Sequence, residues 1–215
     1  MKVKMKKFCQ KKHEQFDYYT EVCLEDILSH VTVLLGPNGT GKSMSLKHLE
    51  YQLKKNGIKC LRYKTSSDDI VSNIKMHEDN LGYKLSCAFH SEGERMIDSF
   101  NNWNIRLSNA IIEGYDSLYV LYDELDSGLS YDRIMSSLLG IMYVLKMELD
   151  KGKDINFIFT ANSYEFVDIV RRLYKEASFI WVPTKDKINP KSYDEFISYY
   201  KEFYKYMEEL DEGIA

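Results

Sequence analysis

The stretch VTVLLGPNGTGKSMSLKHLEYQL, residues 31–53, decides the fold. Residues 31–35 form a mainly apolar run that predicts a buried strand, and the apolar spacing beyond the glycines predicts a helix from Lys42 to Lys55. Asn56 and Gly57 provide the expected helix end. A strand, a glycine-rich turn and a helix in this order are typical of an α/β domain with a parallel sheet.

The glycine-rich turn fits the pattern GxxxxGK[ST] of a phosphate-binding loop, or P-loop. In such a loop the glycines allow backbone N–H groups to surround a phosphate, and the helix N-terminus adds a partial positive charge. We expect Lys42 to bridge the β- and γ-phosphates of a nucleotide, and the Ser43 hydroxyl to bind Mg²⁺. The eight residues of the loop are Gly36, Pro37, Asn38, Gly39, Thr40, Gly41, Lys42 and Ser43.

A second motif, SLYVLYDELDSGLS, occupies residues 117–130. Its apolar run over residues 118–122 predicts a central parallel strand that is buried on both faces. Asp123 follows at the carboxyl end of that strand, where ligands bind in open α/β sheets, and is expected to hold Mg²⁺ through water. Glu124 is the candidate general base for an attacking water. A base for water favours hydrolysis over phosphoryl transfer by a nucleotide kinase.

The sequence SEGER, residues 91–95, lies between these two motifs at the start of an amphipathic run. A serine hydroxyl at Ser91, a glycine at Gly93 and a helix N-terminus together are suited to binding an anion. Gly114 is the expected end of this helix. Its predicted buried stripe recurs at helical spacing and comprises Met96, Phe100, Trp103, Leu107, Ala110 and Ile111.

The ordered motifs GPNGTGKS, SEGER, YVLYDE and LDSGLS resemble the Walker A, signature, Walker B and D-loop motifs of ABC-type ATPases. The resemblance covers about residues 31–163. The form of the signature is similar to that of the soluble branch, which includes chromosome-maintenance, DNA-repair and phage-defence ATPases. This implies a P-loop fold with a mainly parallel central sheet and N-terminal antiparallel strands.

The resemblance also implies a homodimer, assembled head to tail in ATP. Ser91 and Gly93 would then contact the ATP held by the other subunit's phosphate loop, and Asp126 of the D-loop segment is assigned to the same nucleotide site. A further protein partner, for example one of nuclease type, or a nucleic acid would use the motion of the dimer.

The chain departs from this family in three respects. Asn162 stands where the family has a switch histidine. Asparagine cannot titrate, but it can donate a hydrogen bond, so we keep Asn162 as a catalytic candidate. No glutamine follows the strand predicted over residues 58–63. Ser43 and Ser91 are too close in sequence for a full helical subdomain. We therefore expect a reduced helical subdomain over residues 58–115. We therefore expect slow hydrolysis, and a transporter's nucleotide-binding subunit or a non-hydrolysing ATP-binding module remain alternatives.

The composition predicts one globular domain over residues 1–215, since 44% of the residues are hydrophobic. A net charge of -4 does not favour nucleic acid, although lysines crowd residues 2–12 and could form a local patch. The four cysteines are widely spaced, which is typical of reduced thiols in a cytoplasmic protein. No apolar run is long enough to cross a bilayer.

The C-terminal part predicts further alternating elements. We expect helices from Ser130 to about Lys151 and from Ser163 to about Glu176, then a strand over residues 179–182. Ser192 and Glu195 predict a capping box that opens a C-terminal helix. The aromatic stripe of that helix, which includes Tyr199 and Tyr200, is expected to pack on the domain, with a partner surface as the alternative.

Overall fold

The computed structural model describes residues 22–64, 103–127 and 129–211. After a short 3₁₀ helix at Leu24–Asp26, regular elements alternate along the chain. The strands are β1 (Val31–Leu35), β2 (Lys59–Lys64), β3 (Ser117–Asp123), β4 (Asp154–Ala161), β5 (Ser178–Trp181) and β6 (Asp186–Ile188). The helices are α1 (Lys42–Lys55), α2 (residues 103–112), α3 (Tyr131–Asp150), α4 (Tyr164–Leu173) and α5 (Tyr193–Asp211).

The strands form one six-stranded sheet in the order β2-β3-β4-β1-β5-β6. All neighbouring pairs are parallel except β5 with β6. The predicted α/β class with a mainly parallel sheet is therefore confirmed. The predicted N-terminal antiparallel strands fall largely on residues outside the described ranges. Within those ranges β6 is the one antiparallel strand, and no sequence pattern predicted it.

Helices cover both faces of the sheet. Helix α1 packs Leu46 and Leu49 against one face, in a cluster that includes Leu34 of β1. The opposite face carries the larger core, to which α2, α3, α4 and α5 all contribute. Burial on both sides explains why β1 and β4 are almost continuously apolar, since neither strand has a face in water.

An aromatic cluster attaches α2 to the second face. The Tyr122 ring stacks on Phe159 with centroids 5.2 Å apart, and the Trp103 ring approaches Tyr122 edge-on at 6.0 Å. Leu107 and Ala110 are also buried and Ile111 is partly buried, so the predicted stripe agrees with the structure where the structure describes it. Residues 58–115 were predicted as a reduced helical region, but most of that range lies outside the described residues.

Most predicted element boundaries agree with the structure to within two residues. Strand β1 and helix α1 have the predicted bounds, and Ser130 and Ser163 are the N-cap residues of α3 and α4. Helix α4 ends at Leu173, earlier than predicted, because Tyr174 adopts an extended backbone with φ -141° and ψ 98°.

Helix α5 packs on the domain, as the sequence favoured. Phe196 and Phe203 are buried in the larger core. The Glu195 N–H donates to Ser192 Oγ at 3.2 Å, as in a capping box. The Glu195 carboxylate, however, accepts from the Lys191 N–H at 2.8 Å, so the reciprocal bond is made one residue earlier than predicted.

Two further expectations concern membrane-spanning helices and the state of the cysteines. Over the described ranges, no helix combines the length and apolar character needed to cross a membrane. Within the same ranges, Cys60 is a free thiol.

Candidate functional site

Three loops with polar side chains meet at one edge of the sheet. Strand β4 pairs with both β1 and β3, so the carboxyl ends of these three parallel strands are adjacent. The glycine-rich loop (residues 36–43) follows β1, Glu124 follows β3, and Asn162 follows β4. A cleft of about 350 Å³ lies between them, and its walls include Lys42, Ser43, Glu124 and Asn162.

The glycine-rich loop has a conformation that depends on two of its glycines. Gly41 is the N-cap of α1 and adopts a left-handed backbone with φ 91°, which glycine tolerates without strain. Gly36 leaves no room for a side chain, because a Cβ there would lie 2.7 Å from Thr40 Oγ1. That hydroxyl is buried and donates to the Pro37 carbonyl oxygen at 2.8 Å, so it cannot move without losing a bond.

We expect Gly36→Ala to destabilise the fold by about 1–3 kcal/mol, since the new methyl group overpacks the loop and displaces Thr40. Gly140→Ala is the matched control. Gly140 lies within α3, and a methyl group added there would have no neighbouring atom within 4 Å. Alanine there should stabilise the helix by about 1 kcal/mol. Chemical denaturation measures both changes, and Gly36→Ala with wild-type stability would contradict the tight loop.

The Lys42 ammonium group lies over the loop. Its Nζ donates to the carbonyl oxygens of Gly36 at 2.7 Å and Pro37 at 3.0 Å. Burial lowers the pKa of Lys42 to about 8, although the carboxylates of Glu124, Asp126 and Asp123 act in the opposite direction. A buried ammonium with a lowered pKa is poorly stabilised in its charged form, so an anionic ligand that enters the cleft would bind it favourably.

Asp123 and Ser43 meet at the junction of β3 and α1. The Ser43 hydroxyl donates to Asp123 Oδ1 at 2.9 Å, and the Thr160 hydroxyl of β4 donates to the same oxygen at 3.0 Å. Asp123 is almost completely buried. The structure thus brings together the two residues that the sequence assigned to Mg²⁺, and it adds Thr160, which the sequence analysis missed. The signal in the sequence was the hydroxyl side chain of Thr160 within the otherwise apolar run of β4.

A second residue that the sequence analysis missed is Arg62 of β2. Its Nη2 donates to Asp123 Oδ2 at 2.7 Å, and its Nη1 lies 3.5 Å from a carboxylate oxygen of Glu50 in α1. The Arg62 side chain is only 13% exposed, so this ion pair is shielded from water. An arginine in the middle of a strand was the signal, but its partner lies 61 residues away in sequence.

The residues present fit a phosphate-bound Mg²⁺. Over the described residues, no group of three or more His, Cys, Asp or Glu side chains could hold a metal by itself. Mg²⁺ in nucleotide sites is held by one or two protein oxygens together with substrate phosphates and water. The Ser43 hydroxyl oxygen and Asp123 Oδ1 are 2.9 Å apart beside the loop, and they supply the two protein oxygens that such a site needs.

Glu124 has a backbone conformation that is unusual for its residue type. Its φ is 57°, and Lys185 is the other non-glycine residue with positive φ in the described ranges. The Glu124 N–H donates to Thr160 Oγ1 at 2.8 Å, which holds the residue in this left-handed conformation. Such conformations cost free energy and are concentrated at functional sites. The side chain lines the cleft together with Lys42 and Ser43.

Asp126 connects the segment after β3 to the start of α4. Its Oδ2 accepts from the N–H groups of Asn162 and Ser163 and from the Ser163 hydroxyl, each at 2.9 Å. A carboxylate at a helix N-terminus is favourable. These three bonds fix the segment after β3 to the start of α4. Asp126 Oδ1 and Asn162 Oδ1 are both buried and have no hydrogen-bond partner among the described residues.

Tyr200 of α5 also reaches the site, although its sequence pattern predicts only a place in the aromatic stripe of that helix. Its hydroxyl donates to the carbonyl oxygens of Gly36 and Asn162, each at 3.2 Å. Burial, with a smaller effect from Asp126, raises the pKa of the Tyr200 hydroxyl, so it remains a donor at neutral pH. No local pattern distinguishes Tyr200 from its neighbour Tyr199.

The predicted signature residues Ser91 and Gly93 lie outside the described residues. The other assigned residues surround or adjoin the cleft. A scan against protein-family models finds no match for this chain, and searches of curated proteins and of solved structures find none either.

Proposed function

We propose that the chain is a Mg²⁺-dependent ATPase that binds ATP at the glycine-rich loop and hydrolyses it slowly. The observation that carries the proposal is the convergence of Lys42, Ser43, Asp123 and Glu124 on one cleft at the ends of adjacent strands. Each of these residues has the chemistry expected at a phosphate-binding loop followed by a carboxylate pair. Carboxylates outnumber cationic side chains there, so we expect nucleotide binding to need Mg²⁺.

Each residue has a separate role in the proposed reaction. Lys42 and the loop N–H groups bind the phosphates, and Ser43 and Asp123 would hold Mg²⁺, which neutralises phosphate charge. Glu124 accepts a proton from the water that attacks the γ-phosphorus, while the bond to the β–γ bridging oxygen breaks and releases ADP. Asn162 donates a hydrogen bond near the γ-phosphate from the end of β4.

Calorimetric titration tests this function. ATP with Mg²⁺ should bind, and a chelator of divalent cations should weaken that binding strongly. Phosphate release in the same protein separates an ATPase from a non-hydrolysing ATP-binding module. A chain that does not bind ATP would overturn the proposal.

We also propose a head-to-tail homodimer in ATP, in which residues 91–95 of one subunit contact the nucleotide of the other. This part of the proposal is supported by the resemblance of SEGER to the ABC signature. A soluble switch ATPase of the DNA-repair or defence type would pass the dimer's motion to a protein partner or a nucleic acid. Stimulation of phosphate release by DNA would favour that class, whereas co-purification with a membrane protein would favour a transporter subunit.

We expect Ser91→Arg to block the dimer and to leave ATP binding by the monomer largely intact. The reason is that Ser91 is proposed to act on the nucleotide of the other subunit, where a bulky cation would prevent close approach. Size-exclusion chromatography with light scattering, in ATP and Mg²⁺, measures the dimer, and calorimetry measures binding. Dimerisation like that of the wild type would contradict the role of SEGER.

A further inference from the structure

We propose that Tyr200 is a positioning residue of the nucleotide site, whose hydroxyl keeps the Gly36 carbonyl hydrogen-bonded when Lys42 turns from the loop to the phosphates. This inference rests on the proposed function, because it concerns how the loop changes between its free and nucleotide-bound states. It assigns a role to α5, an element outside the motifs.

The Gly36 carbonyl oxygen has two donors in the structure. Lys42 Nζ donates to it at 2.7 Å, and the Tyr200 hydroxyl donates to it at 3.2 Å. The same hydroxyl lies 3.2 Å from the Asn162 carbonyl oxygen. A hydroxyl has one proton, so Tyr200 shares that proton between the two carbonyl oxygens.

Lys42 cannot keep all of its present contacts and also bridge two phosphates. An ammonium group has three N–H donors, and Lys42 uses two of them on the Gly36 and Pro37 carbonyl oxygens. Bridging the β- and γ-phosphates requires two donors. At least one of the two carbonyls is therefore released when ATP binds.

The two carbonyls differ in what remains after that release. The Pro37 oxygen keeps the Thr40 N–H at 3.3 Å and the Thr40 hydroxyl at 2.8 Å. Among the described residues, the Gly36 oxygen keeps only the Tyr200 hydroxyl. Gly36 is buried, and a buried carbonyl without a donor is costly. Tyr200 is therefore the donor that remains when Lys42 releases the Gly36 carbonyl, whereas release of the Pro37 carbonyl does not involve Tyr200.

Packing holds the Tyr200 ring in the position that this role requires. The ring lies edge-on to Trp181 of β5, with centroids 5.2 Å apart, and 4.9 Å from the ring of Phe196 one turn earlier in α5. Trp181 is 1% exposed. The hydroxyl is thus directed at the loop by a rigid aromatic cluster.

Calorimetric titration of ATP and Mg²⁺ into wild type, Tyr200→Phe and Tyr199→Phe tests the inference. We expect Tyr200→Phe to raise the Kd about fivefold to tenfold, since a Lys42 that turns fully to the phosphates leaves the Gly36 carbonyl of this variant without a donor. Tyr199→Phe is the matched control. Tyr199 lies on the same helix, and its ring centroid is 5.7 Å from that of Trp181. It makes no hydrogen bond that the structure describes. Its Kd should stay within about twofold of the wild type.

Steady-state kinetics separates positioning from a purely structural role. In Tyr200→Phe we expect the KM for ATP to rise while kcat stays unchanged, because the hydroxyl does not touch the reacting atoms. The nucleotide-free variant should remain folded, since Lys42 still holds the Gly36 carbonyl.

The outcomes distinguish this inference from the proposed function. A wild-type protein that binds no ATP overturns both. Wild-type binding with an equal Kd in Tyr200→Phe overturns only the role of Tyr200. A Tyr200→Phe protein that is unfolded at the assay temperature also overturns that role, because the hydroxyl would then determine folding rather than nucleotide affinity.

Discussion

The Lys42→Ala protein is expected to fold normally and to lose almost all binding of ATP. Lys42 is the cationic side chain of the glycine-rich loop, and the residue is only 5% exposed. Removing one partner of a buried, hydrogen-bonded charge pair costs about 2–5 kcal/mol. That range corresponds to an affinity about 30-fold to several thousand-fold weaker.

The loop should keep its shape without Lys42. The Pro37 carbonyl oxygen retains the Thr40 N–H and hydroxyl, and the Gly36 carbonyl oxygen retains the Tyr200 hydroxyl. Alanine also avoids the desolvation of a buried ammonium group. A loss of binding would therefore report on the missing cation and not on a damaged fold.

Lys54→Ala is the matched control for this substitution. Lys54 lies on the same helix, is exposed, and forms an i,i+4 ion pair with Glu50. Its loss should change the free energy of unfolding by about 0.5 kcal/mol or less and leave the affinity for ATP unchanged. Calorimetry on both variants, with thermal melting beside it, gives the comparison. Near-normal ATP affinity in Lys42→Ala would rule out the nucleotide site described above.

The parts of the fold that the sequence predicted are those specified by short stretches of chain. The apolar run before Gly36 and the helical spacing after it were sufficient to define β1 and α1. Ser163 marked the start of α4 because a serine N-cap accepts from the N–H three residues later, as Phe166 N shows here at 3.4 Å. Such signals are local, so they can be recognised without knowledge of the tertiary structure.

The parts that the sequence missed depend on distant contacts. Arg62 and Asp123 are 61 residues apart, and Tyr200 and Gly36 are 164 residues apart. An arginine in a strand predicts a buried partner but does not identify it. A tyrosine on an amphipathic helix predicts packing, whereas the hydrogen bonds of its hydroxyl depend on where β5 places that helix.

Glu124→Gln is expected to bind ATP and to lose most of its hydrolysis. Glutamine preserves the size of the side chain but cannot accept a proton from the attacking water. Loss of a general base typically lowers the rate by about 10²–10⁴. The groups proposed to bind the phosphates and Mg²⁺, which are Lys42, Ser43 and Asp123, are unchanged. We therefore expect a dimer that forms in ATP and reopens very slowly.

The measurement has to allow for slow ATP hydrolysis by the wild-type protein. Asn162 stands where the ATPases that the sequence resembles have a titratable histidine, so phosphate release should be followed under single-turnover conditions, with light scattering for the dimer. Glu113→Gln is the control, because Glu113 is an exposed carboxylate that pairs with Lys59 away from the cleft. Its hydrolysis should equal that of the wild type.

The backbone at Glu124 allows a second test of why a glutamate stands there. At φ 57° a residue with a side chain is strained, and glycine is not. Glu124→Gly should therefore raise the free energy of unfolding by about 1 kcal/mol while hydrolysis falls as far as in Glu124→Gln. A gain in stability with a loss of turnover would mean that the strain is retained for the reaction. If instead Glu124→Gln hydrolyses ATP as fast as the wild type, or stays monomeric in ATP, Glu124 is not the general base, and its conformation needs another explanation.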